Sequence, residues 1–155
     1  MKITPDFDVR EFVAQRVYDE LGAAFCLRFV NPTILRFVTW LKAELTEKYG
    51  EEVNIRMNDW HYGGSFHNRV YRDPKSTVGK WTSVHRLALA VDMSFEIKRT
   101  KKVIPVKDVY QFLLSRESEV LAIGITRLED IRDTPTWLHA DGAYTGKNAI
   151  QIVRP

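Results

Sequence analysis

Ser83-Val84-His85-Arg86-Leu87-Ala88-Leu89-Ala90-Val91-Asp92-Met93-Ser94-Phe95 decides the fold. From Leu87 to Phe95 the residues alternate, with Leu87, Leu89, Val91, Met93 and Phe95 on one side and Ala88, Ala90, Asp92 and Ser94 on the other, the period of a β-strand. The first face is greasy and must cover a core. The second is small and carries one acid, which leaves room for a metal ion and its water against the sheet. His85 lies seven residues before Asp92, and residues seven apart in one straight strand face opposite sides. The reading therefore places His85 in the turn entering the strand.

A second stretch repeats the pattern. In Thr136-Trp137-Leu138-His139-Ala140-Asp141, Trp137, His139 and Asp141 share one strand face while Leu138 and Ala140 take the other. Two imidazoles and one carboxylate with a fourth position open form a catalytic zinc arrangement, in which the metal lowers the pKa of its water to about 7. The same donors also suit iron and other first-row ions.

Around these stretches the elements read as follows. Asp8-Val9-Arg10-Glu11 has capping-box spacing and predicts a helix from Val9 to about Leu21. Asn31-Pro32 caps a second helix, with Ile34, Leu35, Val38, Leu41, Leu45 and Tyr49 as its buried stripe and Gly50 as its stop. Glu52 to Met57 alternates as a strand. Asn58 to Thr82 has no period and is rich in Gly, Asn, His, Trp, Tyr and Arg, a long loop of the kind compact domains keep for function. Glu96 to Lys102 is a charged turn, Val106 to Ser118 a helix, and Leu121 to Leu128, Thr136 to Asp141 and Ala149 to Val153 are short runs closing the chain. Helices mainly first and strands mainly later predict one α+β domain over residues 1–155, an antiparallel sheet flanked by helices.

Composition bounds the function. The 155 residues are 45% hydrophobic and 28% charged with a net charge of +3, the balance of an ordinary globular domain. A single Cys26 excludes a disulfide scaffold and, amid Ala23, Ala24, Phe25 and Leu27, reads as a small core residue. No apolar run reaches the roughly 18 residues of a membrane span. The opening Met1 to Asp8, with Pro5 and two acids, lacks the apolar stretch of a signal peptide. The expectation is a cytoplasmic product on synthesis, with no membrane partner. Nucleic acid is not an expected partner either, because no element interleaves Lys and Arg with aromatics.

The two histidine stretches resemble peptidase family M15, the zinc D-Ala-D-Ala carboxypeptidases and phage endolysins, which shares its metal site with the Hedgehog signalling domain. Ser83 to Asp92 is similar to the family signature Ser-x-His-x-x-Gly-x-Ala-x-Asp, and Trp137-Leu138-His139 to its second His motif. Phe7 to Val13 resembles the Phe-x-x-x-Glu-Phe-Val opening of phage-encoded members, and Val53 to Arg72 their strand and Arg-bearing substrate loop. The resemblance implies a Hedgehog/DD-peptidase-like fold and one Zn2+ held by His85, Asp92 and His139. It implies a peptidase that hydrolyses amide bonds in peptidoglycan stem peptides, as a carboxypeptidase or an endolysin-type endopeptidase, encoded by a phage or prophage. Such a protein reaches the cell wall after release or is a virion component.

Two departures from the family pattern stand out. Ala88 replaces the signature Gly, and Thr136 stands where many members carry the Glu that takes a proton from the zinc-bound water. Asp133 is the first substitute as base, six residues before His139 where Hedgehog domains place a Glu. Glu129 is the next. Asp141 is also available, although a carboxylate on the face of a metal-bound His commonly takes that ring's other N–H. Arg69 or Arg72 is expected to polarise the scissile carbonyl or hold a substrate carboxylate. Trp60, Ser83, Trp137 and Asp141 are expected around the substrate, Ser83 as a turn or supporting hydroxyl, with Tyr62, Phe66 and Trp81 as further cleft walls or loop anchors. His61 and His67 read as hydrogen-bonding loop residues. With Thr136 in the Glu position, the alternative is a non-catalytic, zinc-stabilised module that binds cell wall or protein.

Overall fold

Asn31 accepts a hydrogen bond from the Thr33 amide at 2.9 Å, Pro32 supplies the first helical residue, and Gly50 stops the helix at φ 65°. These caps bound α2 (Pro32–Tyr49), and Ile34, Phe37, Val38, Leu41 and Leu45 are its fully buried stripe. The structure, a computed structural model, describes residues 1–80 and 82–154.

The capping box at Asp8 is present, with Asp8 accepting from the Arg10 amide at 3.0 Å and Glu11 from the Asp8 amide at 2.9 Å. It closes only a 3-10 turn, Val9–Glu11, and α1 spans Gln15–Cys26 rather than continuing from Val9. The carbonyls explain the shift. A continuing helix would use those of Phe12 and Val13 for its own N–H groups, but here the Phe12 carbonyl takes the Tyr71 amide at 3.0 Å. The Val13 carbonyl takes Asn58 Nδ2 and the Trp60 indole, each at 3.0 Å. The long loop competes for the backbone and wins.

Glu11, 8% exposed, sits where the loop meets this turn. Burial, with Asp8 nearby, pushes its carboxyl up to about 7 against the pull of the Asp8 amide and of Lys2. A carboxyl whose folded pKa is raised contributes stability below its unfolded value that is lost as pH climbs to the folded value. The shift from 4.5 to about 7 corresponds to about 3 kcal/mol. Glu11→Gln keeps an acceptor for the Asp8 amide and removes the charge. Its melting temperature is expected to gain on the wild type progressively from pH 4.5 to 7, then run parallel; a constant difference across that window would refute the burial argument.

The sheet runs β1 (Val53–Arg56), β2 (Ala90–Ile97), β5 (Leu138–Asp141), β4 (Arg127–Glu129), β6 (Gln151–Val153), with β3 (Val103–Ile104) also paired to β2. All pairs are antiparallel except β4 with β6, which is parallel, so the sheet is mixed rather than purely antiparallel. β2 starts at Ala90, and Leu87 leaves the expected greasy face: it ends a 3-10 turn, Val84–Leu87, and is 66% exposed. The predicted helix Val106 to Ser118 is two helices, α3 (Val106–Ser115) and α4 (Glu117–Ile123), broken at Arg116. The Leu121 to Leu128 run is divided between α4 and β4 by Gly124 at φ 107°, because a short apolar run fits either element until packing chooses.

One core joins α2 and α3 to a single sheet face through Val53, Ile55, Val91, Met93, Leu128, Leu138 and Ala140. The α+β class is as expected. Alternation then puts Asp92, Ser94 and Glu96 of β2, His139 and Asp141 of β5, and Arg127 and Glu129 of β4 on the opposite face. The loop after β1 runs beside that face. The Asn58 side chain takes the Arg69 amide at 2.8 Å, Asp59 takes the Phe66 amide at 2.8 Å, and the Arg69 carbonyl accepts from the Asp92 amide at 2.7 Å. Gly64 is required there, since a Cβ would lie 2.1 Å from the Asp59 carboxyl. Among the described residues no single helix is long and apolar enough to cross a membrane.

Candidate metal centre

Register brings the site together. β2 and β5 pair antiparallel with Asp92 opposite His139, so a carboxylate and an imidazole share one face at one level. His85 reaches them from the 3-10 turn before β2, as the facing argument requires. Ala88 ends that turn in the left-handed region at φ 55°. A left-handed residue with a Cβ costs about 1–2 kcal/mol, so Gly would be the unstrained residue at position 88. The chain retains the geometry despite the methyl.

The three donor atoms converge. His139 Nδ1 lies 2.7 Å from Asp92 Oδ1, and His85 Nε2 lies 3.3 Å from both. A tetrahedral site with bonds of ~2.0–2.1 Å has donor–donor edges of roughly 3.3 Å, so two of the three edges already match. The other ring nitrogens fit as well. His85 Nδ1 lies 2.8 Å from the Val70 carbonyl, which can only accept, and His139 Nε2 lies 3.1 Å from Asp141 Oδ2. Each ring thus places one N–H on a supporting acceptor and turns its remaining nitrogen toward Asp92. All three residues are buried, and they form a group able to hold a metal ion.

In the metal-free protein the cluster holds a proton instead. Burial works to lower His139, but the Asp141 and Asp92 carboxylates raise it to about 9. Burial works to raise Asp92, and its hydrogen bonds with His139 and His85 hold it well below the usual carboxylate range. A divalent cation and a proton therefore compete for the same place.

Two guanidinium groups hold the carboxylates. Arg72 Nη2 donates to Asp92 Oδ2 at 2.8 Å while its Nε donates to the Asn68 carbonyl, so Oδ1 is the Asp92 oxygen left toward the histidines. Gly79 lies against this guanidinium, where a Cβ would come within 2.9 Å of Nη1. Arg127 grips Asp141 with both ends of its fork, at 2.8 and 2.9 Å.

A cleft of about 580 Å³ opens onto the three donors and is also lined by Arg72, Ser83, Arg127, Glu129, Asp133, Trp137 and Asp141. Of the two base candidates, Glu129 is half-buried and feels the charges of the cluster. Burial raises its carboxyl, Asp92 adds to that, and His139, His85 and Arg72 pull the other way. Asp133 lies further out, with Arg154 Nε 3.8 Å away. Thr136 is exposed and outside the cleft lining.

Arg69 and Trp60 are not among the lining residues. Arg69 donates to Ser94 Oγ at 3.0 Å and lies 3.4 Å from the centroid of the Phe66 ring, and Trp60 donates its indole N–H to Val13. Both tie the loop down. Tyr62 is 72% exposed, and Trp81 lies outside the described residues. His61 makes none of the expected hydrogen bonds among the described residues, where both its buried ring nitrogens lack a partner. His67 lines a different cleft. Cys26 is fully buried. Arg127 and the Val70 carbonyl went unnoticed in the sequence. The fork's only sequence cue is an Arg in a short run of uncertain type, and a carbonyl has none.

The fold and site define an α+β domain with a buried His-Asp-His cluster compatible with a divalent metal. In comparisons with known proteins, no family model, no curated protein and no solved structure matches the chain.

Proposed function

We propose that the protein is a zinc-dependent peptidase that hydrolyses amide bonds in the peptide stems of bacterial cell wall, of phage or prophage origin. The observation that carries this reading is the convergence of His85 Nε2, Asp92 Oδ1 and His139 Nδ1 at the floor of an open cleft that also holds Glu129. When bound, the ion supplies a Lewis acid that lets water attack an amide near neutral pH. Glu129, with its carboxyl raised by burial, takes the proton from the attacking water and returns it to the leaving amine. Arg72 keeps N–H donors beyond those spent on Asp92 and Asn68, and it lines the cleft where the carbonyl oxygen gains charge. Trp137 walls the cleft, and Lys80 and Arg154 at its edge suit the anionic wall.

The test is release of free amines from purified cell wall by protein carrying about one zinc per chain. Activity that a chelator abolishes and zinc restores supports the peptidase. Zinc binding with wall retention and no amine release identifies the non-catalytic module, the reading that exposed Thr136 favours. No zinc in the purified protein and none taken up on addition overturns both.

A further inference from the structure

We infer that Arg127 is a positioning residue of the metal centre, acting through Asp141 to fix which nitrogen of His139 faces the metal. The inference rests on the metal-centre reading above. It starts from cross-strand register: Arg127 on β4 stands directly opposite Asp141 on β5. The Arg127 side chain is 28% exposed and that of Asp141 is 0%, so the carboxylate has no water to satisfy it.

Its oxygens are filled by protein. Oδ1 accepts from Arg127 Nε at 2.8 Å and the Ala143 amide at 3.0 Å, and Oδ2 accepts from Arg127 Nη2 at 2.9 Å. The remaining position on Oδ2 belongs to His139 Nε2 at 3.1 Å. A carboxylate with both oxygens held in a planar fork cannot turn about its own axis. Asp141 therefore offers His139 Nε2 an acceptor in a fixed direction, and with Nε2 held there Nδ1 faces Asp92 Oδ1 and His85 Nε2. A flipped ring would give up this bond and turn Nδ1 away from the other two donors.

Arg suits the task where Lys does not, because a fork sets an orientation and an ammonium supplies charge alone. Partners of this kind around metal-bound histidines typically change metal affinity by ~10–100-fold when removed.

The experiment measures the zinc dissociation constant of the full chain by competition with a chromophoric chelator, for wild type, Arg127→Gln, Arg127→Lys, Asp141→Asn and the double variant Arg127→Gln/Asp141→Asn. Melting of each metal-free protein is recorded alongside. The expected result is ~10–100-fold weaker zinc binding in Arg127→Gln, persisting in Arg127→Lys, with the double variant no worse than the weaker single one. Nitrogen-15 NMR of the zinc-loaded wild type is expected to show His139 protonated at Nε2, with that state losing its single population in Arg127→Gln. A purely structural Arg127 would lower the melting temperature and leave zinc affinity and the imidazole signal unchanged, which overturns the inference. Full zinc affinity in Arg127→Lys overturns it too, and decides the matter should Arg127→Gln fail to fold. A wild type that binds no zinc refutes the metal centre itself, an outcome distinct from either.

Discussion

His139→Ala is expected to abolish zinc binding at micromolar metal, a loss greater than the ~10–100-fold that a supporting hydrogen bond is worth. Among the described residues His139 Nδ1 is one of three protein donors in the cluster, with Asp92 at 2.7 Å and His85 at 3.3 Å. Asp141 is the nearest replacement in sequence, but the Arg127 fork and the Ala143 amide occupy its oxygens. The substitution also removes a cation buried between Asp92 and Asp141 in the metal-free protein. Asp92 and Asp141 keep their Arg72 and Arg127 partners but lose the cation they share, so the metal-free variant is expected to melt below wild type. Isothermal calorimetry with zinc, on samples whose folding is checked by circular dichroism, separates the two effects. Retention of wild-type zinc affinity by a folded His139→Ala protein would mean that the three donors are not the site.

Glu129→Gln is expected to keep zinc and lose hydrolysis. The amide preserves the shape of the side chain and cannot take a proton, so amine release from cell wall is expected to fall by ~10²–10⁴, the usual worth of a general base. Its place on β4, one residue after Leu128, itself paired with Ala140, puts it on the His139 side of the sheet. Asp133→Asn is the control and is expected to change the rate little, because its carboxyl lies near Arg154 at the edge of the cleft. If instead Asp133→Asn silences the protein and Glu129→Gln does not, the assignment of the base is reversed. Zinc content measured on the same samples distinguishes loss of the base from loss of the metal.

Much of the centre was legible from spacing. The alternation around Asp92 and His139 put their side chains on the polar face, and the odd separation of His85 from Asp92 sent that residue into the preceding turn. Ala90 marked the uncrowded face, whereas Ala88, read onto the same face, instead caps the turn before β2 and packs with Val9, Val13 and Tyr71. The helix Pro32–Tyr49 was legible from its caps, since Asn31, Pro32 and Gly50 act through backbone geometry that neighbours in sequence determine.

Other readings failed where backbone groups had distant competitors. The Val9 helix stops after one turn because Asn58, Trp60 and Tyr71 take the Phe12 and Val13 carbonyls. Leu87 is exposed because the strand it was read into begins three residues later. Arg69 and Arg72 differ by three positions in one loop, yet one is spent on Ser94 and Phe66 and the other on Asp92. Nothing in their local sequence separates them.

The sequence by itself determined the residue types of the centre, the faces their strands present and the α+β character, because side-chain alternation and helix capping are set within a few residues. Tertiary structure decided which Arg grips which carboxylate, which carboxylate lies beside the histidines, and which ring nitrogen each His turns inward. Those depend on the register of β4, β5 and β2 and on a loop carbonyl at Val70. The contacts of Arg127 with Asp141, Arg72 with Asp92, and His85 with Val70 and His139 join residues 14 to 54 positions apart, and their geometry exists only once the sheet has paired.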